Sequence, residues 1–170
     1  MIKLIGAIII LFSVVVLSII PLYYTQYRMR ILRDFLQDFR LLHNELTSNL
    51  SSVPELIEFL SQKGGHTTRP AYISIHEELN MHAVALFHDD WCRSMKRYTK
   101  YLSSEEYNQL LTIGDILGKY ILEEQLSAIN NSICLFEESL SKEKSIYPEK
   151  KKLNLGIGTS LGMILVILLI

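Results

Sequence analysis

Apolar residues recur at helical spacing through the middle of the chain and run almost unbroken at both ends. The stretch TQYRMRILRDFLQDFRLLHNELTSN places Leu32, Phe35, Phe39, Leu42 and Leu46 three and four residues apart. That is one stripe of an amphipathic helix, with Asp34, Asp38 and Glu45 off it. SSVPELIEFL opens with a capping box, Ser52 three before Glu55, and carries Val53, Leu56, Ile57 and Leu60 as its apolar face. KGGHTTRP reads as a loop, AYISIHEEL as a short helix, and residues 83–100 as a longer one. A second capping box, Ser103 with Glu106, starts a helix expected to end near Gly118. Leu122, Leu126, Ile129, Ile133, Phe136 and Leu140 then follow a heptad rhythm. No stretch alternates over a strand length. The expected architecture is all-α: a bundle of about six mostly antiparallel helices.

The ends differ from this pattern. Between Leu4 and Leu22 only Gly6, Ser13, Ser18 and Pro21 are not apolar, and none is charged. About 19 residues of helix reach roughly 28 Å, close to the hydrocarbon thickness of a bilayer. The run is longer than a signal-peptide core and no small-x-small cleavage site closes it. Residues 1–24 are therefore expected to be a transmembrane helix, with Tyr23, Tyr24 and Tyr27 at the interface. Residues 153–170 are expected to be a second, leaving 25–152 as the soluble domain. Gly158 and Gly162 form a GxxxG pair that would let another span pack closely. Pro148 is expected to bend or interrupt the helix leading into the second span.

Charge orients these ends. Arg28, Arg30 and Arg33 follow the first apolar run, and Lys150, Lys151 and Lys152 precede the second, whereas only Lys3 lies outside them. Both sets favour a cytoplasmic middle. Net charge is −1, which gives no reason to expect a nucleic-acid partner. The two cysteines, Cys92 and Cys134, have no metal-type spacing and read as reduced, partly buried thiols.

No catalytic, cofactor-binding or metal-ligating set is expected. His76 and His82 are six apart and fall on different helix faces, unlike the spacing of four in HExxH. His88, Asp89 and Asp90 are sequence neighbours, which point apart on a helix. The acidic pairs, Glu105-Glu106 among them, read as solvated charge. Trp91 reads as a core anchor. Gly114 either admits a close helix contact or is a tolerated weakness of about 1 kcal/mol. A helical domain without an active site points to a scaffold or adaptor. A membrane-anchored signalling or sensory domain is the alternative, and it would need a pocket with converging polar groups.

Several stretches, in order, resemble the stage III sporulation protein AB family of endospore-forming bacteria: MIKLIGAIII, RILRDFLQDFRLLHNEL with SSVPELIEFL, DDWCRSM, LSSEEYNQLLTIGDILG and LGIGTSLGMILVILLI. No single motif is specific; the ordered set is. Ile121 and Glu55 depart from the family's usual residues. The resemblance implies a membrane protein of the mother cell around the engulfed forespore, in a secretion-like channel complex. Its soluble domain would be similar to cytoplasmic domains of the inner-membrane platform proteins of type II secretion and type IV pilus systems. The implied partners are a stage III sporulation protein AA-type ATPase, other membrane components of the channel and the lipid bilayer, with a homo-oligomer left open. The expected ATPase-binding face lies around Glu45 and Glu55, with the acidic face at Glu123 and Glu124.

Overall fold

The computed structural model describes the backbone of residues 2–81, 87–117, 119 and 121–169; in the end helices the side chains of residues 2–5, 7–12, 14–19, 155, 161, 165, 166, 168 and 169 lie outside the description. Six helices form in order: α1 (Ile2–Asn49), α2 (Val53–Lys63), α3 (Arg69–Met81), α4 (Phe87–Tyr98), α5 (Ser104–Ile116) and α6 (Leu122–Leu169). There is no strand among the described residues.

Both capping boxes are present. The Glu55 carboxylate accepts from the Ser52 amide at 2.7 Å and from its hydroxyl at 2.8 Å. Ser103 Oγ accepts from the Glu106 amide at 3.2 Å, and the Glu106 carboxylate accepts from the Ser103 amide at 2.8 Å. Each box satisfies amides that a helix start leaves unpaired. Pro70 is tolerated in the first turn of α3, where its missing N–H has no intrahelical partner to lose.

The chain divides into two units, residues 28–140 and residues 1–27 with 141–170. In the first unit the expected stripe of α1 is the core: Leu32, Phe35, Phe39, Leu42 and Leu46 are all buried. Phe136 of α6 meets Phe35 and Phe39 edge-on, with ring centroids 5.7 and 5.0 Å apart. Each fully buried side chain of this kind stabilises the fold by about 1.5–3 kcal/mol. Trp91 of α4 is buried as expected, and its indole N–H donates to the Leu110 carbonyl of α5 at 2.8 Å. Gly114 admits this contact. A Cβ there would lie 2.2 Å from the indole Cδ1, so the glycine is required by close approach rather than merely tolerated.

Two expectations are corrected. Asp38, placed off the apolar stripe, is fully buried, and so are Asp90 and Glu106 of the supposedly solvated acidic groups. Asp38 and Glu106 are buried because each meets donors from another part of the chain. Pro148 does not interrupt α6, which runs through it. Pro148 and Lys144 are exposed, so water can take the carbonyl that the proline leaves without a donor. α1 and α6 extend through the apolar ends of the chain.

In the second unit Gln26 Nε2 donates to the Tyr147 hydroxyl at 2.5 Å, linking α1 to α6. Gly158 and Gly162 are both buried, whereas Leu153, Ile157, Met163, Ile164 and Ile167 are exposed. Among the described residues no helix is long and apolar enough to cross a membrane. Most of the expected first span and part of the second fall on side chains outside that description. The expected ends of α4 at its N-terminus and of α5 at Gly118 also lie outside the described residues, as does His82.

Candidate interaction surfaces and a thiol–imidazole cluster

The sequence-derived glutamates gather at one end of the bundle. α1 and α6 run antiparallel: Phe39 meets Phe136, and earlier in α1 Gln26 bonds Tyr147 later in α6. At 1.5 Å per residue, Asn49 lies about 15 Å beyond the level of Phe39, and Leu122 about 21 Å beyond Phe136 in the same direction. The α1–α2 turn and the start of α6 therefore share that end.

The four glutamates differ in availability. Glu45 accepts from Asn49 Nδ2 at 2.7 Å and Ser51 Oγ at 3.0 Å, so it shapes the turn. Glu55 is the capping carboxylate of α2, and its hydrogen bonds from Ser52 hold it below the usual carboxylate range. Glu123 and Glu124 are exposed in the first turn of α6, where the helix dipole favours negative charge. Glu124 also borders a groove of about 560 Å³ between α5 and α6, together with Thr112, Asp115, Ser127 and Asn131. Two large apolar residues stand exposed at the same end: Leu50, 70% exposed, and Ile121, 65% exposed. Leu50 is also held at a φ of 51°, a left-handed conformation that costs a leucine about 1–2 kcal/mol.

Of the basic residues, Arg30, Arg33, Lys151 and Lys152 are exposed, and Lys150 reaches Glu143 at 3.4 Å. Arg28 has a further role that the sequence does not signal. Its guanidinium bonds both carboxylate oxygens of Glu106, at 2.8 and 3.0 Å, and the Tyr101 carbonyl at 2.7 Å. Asp34 and Asp38 of α1 similarly hold the glycine-bearing loop between α2 and α3. Asp34 accepts from the amide and hydroxyl of Thr67, both at 2.7 Å, and Asp38 from the Gly65 amide at 2.7 Å and the Thr68 hydroxyl at 2.5 Å. Burial pushes Asp38 up to about 6 despite these donors. A Cβ on Gly65 would lie 2.3 Å from that of Asp34, which is why the loop needs glycine there.

Sequence spacing also missed one cluster. His88 Nε2 of α4 lies 3.5 Å from Cys92 Sγ, one turn on, and His88 Nδ1 lies 3.7 Å from Asp115 of α5. The i,i+4 spacing of His88 and Cys92 was a readable signal; the approach of Asp115 was not. The order thiol, imidazole, carboxylate is that of a nucleophilic triad. Its surroundings oppose activation: burial, then the charges of Asp89 and Asp115, push the Cys92 thiol up. Cys134 is exposed rather than partly buried, and both thiols are free. No group of three or more described His, Cys, Asp or Glu residues could hold a metal ion.

These features define an all-α domain whose surface, rather than an enclosed cleft, carries its functional candidates. The chain belongs to the stage III sporulation protein AB family, whose family model matches residues 3–170. Membership implies a role in sporulation. No curated protein and no solved structure matches the chain.

Proposed function

We propose that this protein is a non-enzymatic adaptor of the sporulation channel complex, coupling a cytoplasmic secretion-type ATPase to the mother-cell membrane. The observation that carries the reading is the bundle end where exposed Leu50 and Ile121 accompany exposed Glu123 and Glu124. Apolar anchors with a charged rim are the makeup of a protein-binding patch. The apolar ends of α1 and α6 attach to the bilayer in this proposal. Their exposed Leu153, Ile157, Ile164 and Ile167 would face lipid, and the buried Gly158 and Gly162 would face another helix.

The test is binding of the full chain, in detergent or nanodiscs, to the stage III sporulation protein AA-type ATPase from the same cell. Saturable binding weakened by Glu123→Lys or Ile121→Asp supports the adaptor. The polar groove beside Glu124 favours a second reading, a sensory domain for a small polar ligand. Binding of the ATPase that is indifferent to Ile121→Asp but altered by Asn131→Leu in the groove would favour it.

A further inference from the structure

A groove of about 370 Å³ runs along one exposed face of α6. Lys152, Gly156, Ser160 and Ile164 stand one turn apart and form its floor, and Leu153 and Ile157, one position on, form a ridge beside it. Gly156 opens it. A Cβ at Gly64, Gly65 or Gly114 would meet another atom within 2.4 Å, whereas one at Gly156 would meet nothing within 4 Å. Packing inside this chain therefore does not require Gly156, although glycine weakens a helix interior relative to alanine. Ser160 does not make the groove polar, because its hydroxyl donates to the Gly156 carbonyl at 2.8 Å. Leu153, Ile157 and Ile164 are each more than half exposed.

The two ends of the groove differ. Lys152 stands at one, exposed and with no ion-pair partner among the described residues, whereas Lys150 reaches Glu143. No acidic residue lies between Lys150 and Ile170. The other end, at Ile164, is apolar. From Lys152 to Ile164 is about 18 Å along the helix, and one leaflet of bilayer hydrocarbon is about 15 Å deep. A cation at the head of an apolar channel of that length complements an anionic headgroup with an acyl chain laid along the helix. A helix of a second copy fits less well. Its own 150–170 stretch has no carboxylate side chain to set against Lys152. The glycines suited to close helix packing, Gly158 and Gly162, are buried about 200° around α6 from Gly156 and Ser160.

We propose that this groove binds an anionic phospholipid of the bilayer, with Lys152 on the headgroup phosphate and an acyl chain passing over Gly156 and Ser160 to Ile164. The inference rests on the reading that the end of α6 attaches to a membrane, and it goes beyond that reading by giving the attachment a lipid preference. Lys151, about 100° around the helix, adds attraction to an anionic surface without entering the groove.

The experiment reconstitutes the full chain in phosphatidylcholine vesicles carrying a trace of phosphatidylglycerol or phosphatidylcholine spin-labelled on the acyl chain. Electron paramagnetic resonance then reads the motionally restricted fraction of each lipid. The proposal expects a preference for phosphatidylglycerol of about fivefold or more. Lys152→Gln should lower that preference about fivefold, and Lys151→Gln much less. Gly156→Leu, which fills the groove, should abolish the preference with helical circular dichroism unchanged. No preference in the parent, equal losses in Lys151→Gln and Lys152→Gln, or a preference that survives Gly156→Leu overturns the proposal and leaves the attachment standing. No preference together with dimers in nanodiscs that Gly156→Leu disperses gives the groove to a second copy, which also overturns it. Flotation of the same vesicles reads the attachment itself: a folded chain that does not float with them overturns both.

Discussion

Arg28 and Glu106, 78 positions apart in sequence, form a two-pronged ion pair at 2.8 and 3.0 Å. The Glu106 side chain is 2% exposed and that of Arg28 22%. The same carboxylate closes the capping box of α5, so one glutamate both starts a helix and ties that helix to α1. Removing one partner strands the other in a poorly solvated site. Arg28→Ala or Glu106→Ala should therefore destabilise by about 3–5 kcal/mol. Glu106→Ala should be the worse because the cap goes too, by about 1 kcal/mol. Denaturant unfolding checks this; a loss under 1 kcal/mol for both would mean the pair is solvated.

Asp38 makes stability fall as pH rises. Its folded-state value of about 6 exceeds the ordinary 3.8, so the folded state holds the proton more tightly than the unfolded chain. The contribution is full below about pH 4 and is lost as pH rises to about 6. Two units correspond to about 3 kcal/mol. Asp34, Tyr72 and Thr68 face the group, and all remain in Asp38→Asn. The difference in unfolding free energy between the variant and the parent should change between pH 4 and 6 and be level above. A constant difference across that window would contradict the assignment.

Gly114→Ala sets helix propensity against packing. Alanine gains about 1 kcal/mol in an exposed helix. Here its Cβ would meet three indole atoms of Trp91 within 2.6 Å. Overpacking of this kind costs about 1–3 kcal/mol, so a net loss and a change in Trp91 fluorescence are expected. Net stabilisation would show that the indole moves aside freely.

Leu50 links stability to binding. Leu50→Gly relieves the left-handed backbone and should stabilise the domain by about 1 kcal/mol. If Leu50 anchors a partner, the same change weakens ATPase binding. Stability and affinity moving in opposite directions distinguishes an interface residue from a turn residue; a parallel gain in both would remove Leu50 from the patch.

The readable part of the fold was the part that period and caps encode. Leu32, Phe35, Phe39, Leu42 and Leu46 announce a buried face, and Ser52–Glu55 and Ser103–Glu106 announce helix starts. What could not be read depends on pairing between distant segments. Asp38 and Glu106 look solvated by local charge pattern, and only the arrival of the Gly65–Thr68 loop and of Arg28 makes their burial tolerable. Pro148 misled because a proline rule for helix interiors carries no information about which side faces water. The candidate surface was half legible: Glu123 and Glu124 were named from charge. Leu50 joins them only through the antiparallel course of α1 and α6.

The most direct measurement for the adaptor is affinity of the membrane-reconstituted full chain for the ATPase, compared between the parent protein and Ile121→Asp/Glu123→Lys, with unfolding curves for both. The account predicts saturable binding by the parent and at least a tenfold loss in the double variant, with unchanged stability. Equal affinity of the two proteins, or no binding by a folded parent in any nucleotide state, would contradict it.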